Sequence, residues 1–127
     1  MFSKIPMENV LVAQLPLGKG SDINLRPYIR CNVGGVTMWN VHFSYDAQQQ
    51  LDNAREVWNM VAAQGATHQR GAAVPPVIIM GDMNFYKDTP PAERVLCGPR
   101  ELGGLAFQDV VSCVCDLFIV FYRRLRV

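Results

Sequence analysis

No apolar run in the 127 residues is long enough to cross a membrane. The longest, 110–122, falls short of the roughly 18 residues a span needs and carries Asp116. The first residues show neither the basic n-region nor the apolar h-region of a secretory signal. Net charge is nearly absent as well. Twelve Lys and Arg against eleven Asp and Glu leave +1, so there is no global basic field, and nucleic-acid binding would have to use a local patch. Cysteine is scarce: Cys31, Cys97, Cys113 and Cys115 are too few for a disulfide scaffold. The C-x-C of Cys113 and Cys115 lacks the paired spacing of a zinc site. The four read as reduced structural thiols in an intracellular protein. Repeats and low-complexity tracts are missing. What remains is half apolar and 18% charged, which fills the core of one domain and excludes a disordered, collagenous or coiled-coil chain.

Residues 2–5 and 10–15 read as short strands separated by Pro6, with a Gly18-Lys19-Gly20 turn and a loop over 21–27 after them. Residues 28–33 and 36–43 read as a β-hairpin, because Gly34-Gly35 supplies the two positive-φ positions of a tight primed turn. The second strand is apolar on both faces, Val36 and Met38 against Trp39, Val41 and Phe43, which predicts a strand covered on both sides inside a layered α/β protein. A helix follows over 47–64. Asp46 is its N-cap, Gln49 completes a capping-box-like pair, Leu51, Ala54, Trp58 and Val61 form its apolar stripe, and Gly65 stops it. The run 77–80 is a short buried strand ending at Gly81-Asp82-Met83-Asn84. Beyond it the pattern predicts a loop over 85–88, a short helix capped by Thr89, a strand over 105–111, and a strand-like tail over 112–127 that ends in arginines.

Strand, helix and strand make a β-α-β crossover, and the two parallel strands end at one edge of the sheet, where open α/β sheets hold ligands. That places His42, Asp82 and Asn84 on one rim. Extended backbone would send Asp82 and Asn84 to the same face, and Gly81 would allow a turn or the close approach of a ligand. A carboxylate can bind a hard cation or align a water, a carboxamide can donate to a phosphoryl oxygen, and an imidazole can donate a proton. Each residue also has a plainer reading. Gly-Asp-x-Asn is a common polar turn, His42 a satisfied buried histidine, and Lys87 and Asp88 solvated loop residues. Arg55 and Glu56 suit a helix surface, and 123–126 a charged strand end. Asn40 shares a face with His42 and either orients it or bonds backbone.

Phe2-Ser3-Lys4-Ile5-Pro6, Trp39-Asn40-Val41-His42-Phe43 and Pro76-Val77-Ile78-Ile79-Met80-Gly81-Asp82-Met83-Asn84 follow one another in that order, with a helix between the last two. In this they resemble the endonuclease/exonuclease/phosphatase superfamily: its S-K/R-x-P strand end, its N-T-H-L strand and its G-D-x-N strand end. Gly104-Leu105 with Asp109-Val110 is similar to the strand that comes next. The resemblance implies a four-layer α-β-β-α sandwich of mixed sheets flanked by helices, here partial and truncated at both ends, over 1–111, with 112–127 a divergent tail. It implies a Mg²⁺-dependent (or Mn²⁺-dependent) phosphoesterase that hydrolyses a phosphodiester or phosphomonoester in a nucleic acid or an inositol or lipid phosphate. Asp82 would align water or hold metal, Asn84 would contact the scissile phosphate, and His42 would contact phosphate or assist the leaving group. Asn40 and Lys87 are candidate substrate contacts.

The family's upstream Asn and metal-binding Glu, and its terminal S-D-H, have no counterpart here. One carboxylate holds Mg²⁺ weakly, so the alternative is a non-catalytic remnant or binding module of the same fold. An uncovered sheet edge would favour self-association.

Overall fold

We describe the chain in a computed structural model over residues 3–66, 75–85, 107–109 and 120–122. The long elements are β1 (Met7–Leu15), β2 (Arg26–Val33), β3 (Val36–His42), α1 (Ala47–Ala66) and β4 (Val77–Asp82). Two three-residue strands, β5 (Phe107–Asp109) and β6 (Val120–Tyr122), extend the sheet. Strand order is β1-β2-β3-β4-β6-β5, and the sheet is mixed: β3 and β4 are parallel, and every other neighbouring pair is antiparallel. The class is α/β.

Local chemistry accounts for most of this. Gly34 (φ +56°) and Gly35 (φ +80°) take the left-handed conformations of a two-residue turn, and Val33 pairs with Val36 across it. Asp46 caps α1: its Oδ1 accepts from the Gln48 and Gln49 amides at 3.0 and 3.1 Å. The α1 crossover then sets β4 beside β3 in strict register, from Thr37 opposite Val77 to His42 opposite Asp82.

The two faces of this strand pair differ. Thr37, Trp39, Val41 and Phe43 of β3 and its exit, with Val77 and Ile79 of β4, are buried. All but Thr37 join Ala54, Val57 and Val61 of α1 in one apolar cluster. Trp39 stacks on Tyr28 with ring centroids 5.2 Å apart. The opposite face presents Val36, Met38, Asn40, Ile78 and Met80, all half-buried, and ends in the exposed pair His42 and Asp82. Cys31, opposite Met38, is buried.

Several sequence expectations shift. Residues 3–6 are not a strand. The Ser3 hydroxyl accepts the Ile5 amide in a local turn, Pro6 has no amide to give a ladder, and β1 begins at Met7. β1 is irregular between Glu8 and Leu11, with Asn9 at φ +51°. The helix runs to Ala66, so Gly65 lies in its last turn rather than beyond it. Val57, outside the expected stripe, is fully buried, whereas Leu51 and Trp58 only flank the core. The Gln49 side chain does not reach back to complete a capping box; it is buried with no hydrogen-bond partner. Among the described residues β3 is covered on one face rather than two. Val120–Tyr122, in the segment read as a tail, pairs with both β4 and β5. Lys87 and the short helix after Thr89 fall outside the described residues.

Candidate functional site

The carboxyl ends of β3 and β4 bring His42 and Asp82 side by side. The Phe43 amide donates to the Asp82 carbonyl at 2.9 Å, which extends the ladder one step past the strands. The imidazole Nε2 lies 3.8 Å from Asp82 Oδ2, and both side chains are about half exposed, at 47% and 49%. Gly81 makes this approach possible. Its φ is +127°, and a Cβ there would collide with the carbonyl oxygen of Val41 on β3. The glycine therefore serves strand-to-strand contact, while Asn40 Oδ1 backs the same spot, 2.9 Å from where that Cβ would sit.

Asn84 is near the rim in a different pose from the extended one expected. Its φ is +53°, and its amide donates to Asp82 Oδ1 at 2.9 Å, a local turn closed by the carboxylate. Its Nδ2 donates to the Phe43 carbonyl at 2.9 Å, and its own carbonyl accepts from Gln50 Nε2 at 2.6 Å. One hydrogen of the Asn84 carboxamide is thus spent on the scaffold, leaving the second hydrogen and the oxygen. Asn40 lies one register step inward, opposite Met80.

Sequence reasoning missed the residue nearest His42. Arg26, at the start of β2, places Nη1 3.2 Å from His42 Nε2. In the tautomer with its proton on Nδ1, Nε2 accepts this bond. Arg26 is buried and held by Asp22: Nε donates to Asp22 Oδ2 at 2.9 Å, and Nη2 forms an ion pair with the same oxygen. Asp22 is itself saturated. It accepts from the Ser44 hydroxyl at 2.6 Å, from the Asn24 amide at 3.0 Å and from Asn24 Nδ2 at 2.7 Å. Burial alone would raise the Asp22 carboxyl, but the Ser44, Arg26 and Asn24 bonds outweigh it and hold the group well below the ordinary carboxylate range. Tyr45 covers Arg26 from outside, its ring centroid 5.5 Å from the guanidinium carbon. The available signal was the alternation of Asp22, Asn24 and Arg26 with apolar Ile23 and Leu25.

The rim is therefore a guanidinium, an imidazole and a carboxamide arranged around one open carboxylate. Such a donor set suits an oxyanion. It does not by itself fit a resident divalent cation. Asp82 has one uncommitted oxygen, the neighbouring guanidinium is cationic, and among the described residues no group of three or more His, Cys, Asp and Glu side chains gathers at one point.

No family model and no curated protein sequence matches the chain. Solved structures do. An endonuclease/exonuclease/phosphatase family protein from Bacteroides thetaiotaomicron superposes with a TM-score of 0.61 at 16% identity, over 94% of this chain and 50% of that one. The fold is that of the endonuclease/exonuclease/phosphatase proteins. ANGEL2, a 2′,3′-cyclic phosphatase, matches with a TM-score of 0.61 at 12% identity, over 94% of this chain and 55% of that one. The human Nocturnin catalytic domain, solved with a bound sulfate anion, matches with a TM-score of 0.52 at 9% identity, over 92% and 48%. The chain thus spans about half the length of these endonuclease/exonuclease/phosphatase structures. No helix among the described residues is long and apolar enough to cross a membrane.

Proposed function

We propose that the rim of Arg26, His42, Asp82 and Asn84 binds the phosphoryl group of a phosphate ester, and that in the complete fold this group is hydrolysed. One observation carries the reading. The parallel β3–β4 register sets His42 opposite Asp82, and a buried, pre-oriented arginine stands 3.2 Å from the same imidazole nitrogen. Arg26 and His42 would hold non-bridging oxygens, and the free hydrogen of the Asn84 carboxamide would donate to a third. Asp82 Oδ2 would align the attacking water in line with the leaving group. Asn40 would brace the rim from below, and Lys87 would supply a further phosphate contact. The substrate is a nucleic acid or an inositol or lipid phosphate.

The half-covered face of the sheet would pack on a second sheet with its own helices, completing the four-layer sandwich. Carboxylates from that half would join Asp82 in holding Mg²⁺ or Mn²⁺; alone, the described donors supply binding and alignment. That single carboxylate favours a second reading, a phosphate-binding module without turnover. The free edge of β1 would let copies associate.

The full chain is tested first for binding inorganic phosphate, by the shift of the His42 imidazole resonances. Titration is expected in the wild type and its loss in Arg26→Ala. Hydrolysis of bis-p-nitrophenyl phosphate, measured with and without EDTA, then separates the two readings. Turnover that disappears in Asp82→Ala supports the hydrolase, and phosphate binding without turnover supports the module. An imidazole indifferent to phosphate removes both.

A further inference from the structure

The buried side of α1 changes character along its length. From Ala54 through Val57 to Val61 it is apolar and joins the core. In the turns before that it is built of amides: Gln49 and Asn53 are fully buried, and Gln50 nearly so. Packing alone does not ask for them. An apolar side chain of similar size would fill the space without the cost of stripping an amide of water, and asparagine is a poor helix former.

Two of the three amides reach out of the helix to the chain just beyond the strands. Gln50 Nε2 donates to the Asn84 carbonyl at 2.6 Å, and Asn53 Oδ1 accepts from the Ser44 amide at 3.0 Å. Both partners are main-chain atoms. Both lie in segments outside the strands themselves, since β3 ends at His42 and β4 at Asp82. The chemistry is matched at each point, a donor for the carbonyl and an acceptor for the N–H. One helix therefore pins the exits of both parallel strands.

Each pin continues into the rim. At the β4 exit, Gln50 holds the residue whose own carboxamide keeps a hydrogen free for a ligand, and holds it where the backbone is left-handed, at φ +53°. At the β3 exit, Ser44 passes the constraint on. Its hydroxyl donates to Asp22 Oδ2 at 2.6 Å, and Asp22 grips Arg26, whose Nη1 stands 3.2 Å from His42 Nε2. Two donors that share no strand are thus referred to one rigid body. We infer that Gln50 and Asn53 are positioning residues. Without touching a ligand themselves, they fix where the Asn84 and Arg26 donors stand, and so set the affinity of the rim for a phosphoryl group. Gln49 supplies the contrast: it is as deeply buried, yet its amide bonds nothing at either end.

This rests on the reading of the rim as a phosphate site, and its test keeps the two apart. Inorganic phosphate is titrated into the full chain and followed by the His42 imidazole resonances, with a melting curve for every variant. Gln50→Met and Asn53→Leu roughly keep the size of each side chain and remove its amide. Each should weaken phosphate binding about fivefold or more at a temperature where the protein is fully folded. Asn53→Ala, which favours the helix, serves where Asn53→Leu does not fold. Gln49→Met should bind phosphate as wild type does. On an Asn84→Gly background, which tolerates the positive φ and removes the carboxamide, Gln50→Met should cost nothing further, because the group it acts through is gone. Wild type that binds no phosphate removes the rim reading and the positioning roles with it. Wild type that binds, beside Gln50 and Asn53 variants that bind as tightly, overturns the positioning roles alone. So does an equal loss in Gln49→Met, which would make the burial of amides rather than their aim the cause. Full additivity between Gln50→Met and Asn84→Gly overturns them too.

Discussion

The two faces of the β3–β4 pair obey different rules. On one face Trp39, Val41, Phe43, Val77 and Ile79 interlock with α1 and leave almost no surface to water. On the other, half-covered side chains run up to His42 and Asp82, which stay open. The same seven residues of β3 thus hold the fold together with their odd-numbered positions and present an imidazole to solvent with the last of their even-numbered ones. The comparison teaches that core packing and the display of polar groups are separable here by the period-2 geometry of a strand.

The sharpest way to break that separation is Gly81→Val, which acts on both faces because it wedges the strands apart at the backbone. It should cost roughly 4 kcal/mol or more and abolish a cooperative melt, as read by circular dichroism. Next is the pair Trp39→Ala and Met38→Ala. The first should cost about 3–5 kcal/mol in urea denaturation; the second, on the half-covered face, about 1 kcal/mol or less. Equal losses would mean that both faces are packed alike.

Acid titration probes the rim knot. The Asp22 carboxyl is depressed in the folded chain, so the folded state prefers it ionised. Its contribution is fully present above the ordinary aspartate value of about pH 4 and is lost as pH falls below it. Denaturation midpoints across the acid range should therefore fall more steeply in wild type than in Asp22→Asn. The smallest effect belongs to the helix cap. Asp46→Ala should lower the melting temperature by a few degrees and leave the His42 resonances in place.

What could be read from the sequence was what neighbours along the chain decide. Gly34-Gly35 demanded a tight turn, Asp46 demanded a helix start, and the crossover that follows from them carried His42 and Asp82 to one edge. What could not be read was settled by partners far away in sequence. Arg26 finds His42 sixteen positions on, and Ser44 reaches back twenty-two positions to Asp22. No local pattern announces either contact. Asn84 escaped for a related reason. Its left-handed backbone depends on Gln50 and Phe43, on elements that the motif around it does not include. The role of Gly81 was half visible: the need for a missing side chain was clear, but the atom that requires it belongs to Val41.

The bonds that cross the mouth of the β-α-β unit have a dynamic consequence. The amides of Phe43 and Ser44 lie outside regular strands, yet each is donated to another element, to Asp82 O and Asn53 Oδ1, whereas the Asn84 amide closes only its own turn onto Asp82 Oδ1. In deuterated solvent the Phe43 and Ser44 amides should exchange as slowly as the interior of the sheet. The segments that look like loops would then keep their shape on the timescale of many ligand encounters, and an arriving anion would meet a cradle already set.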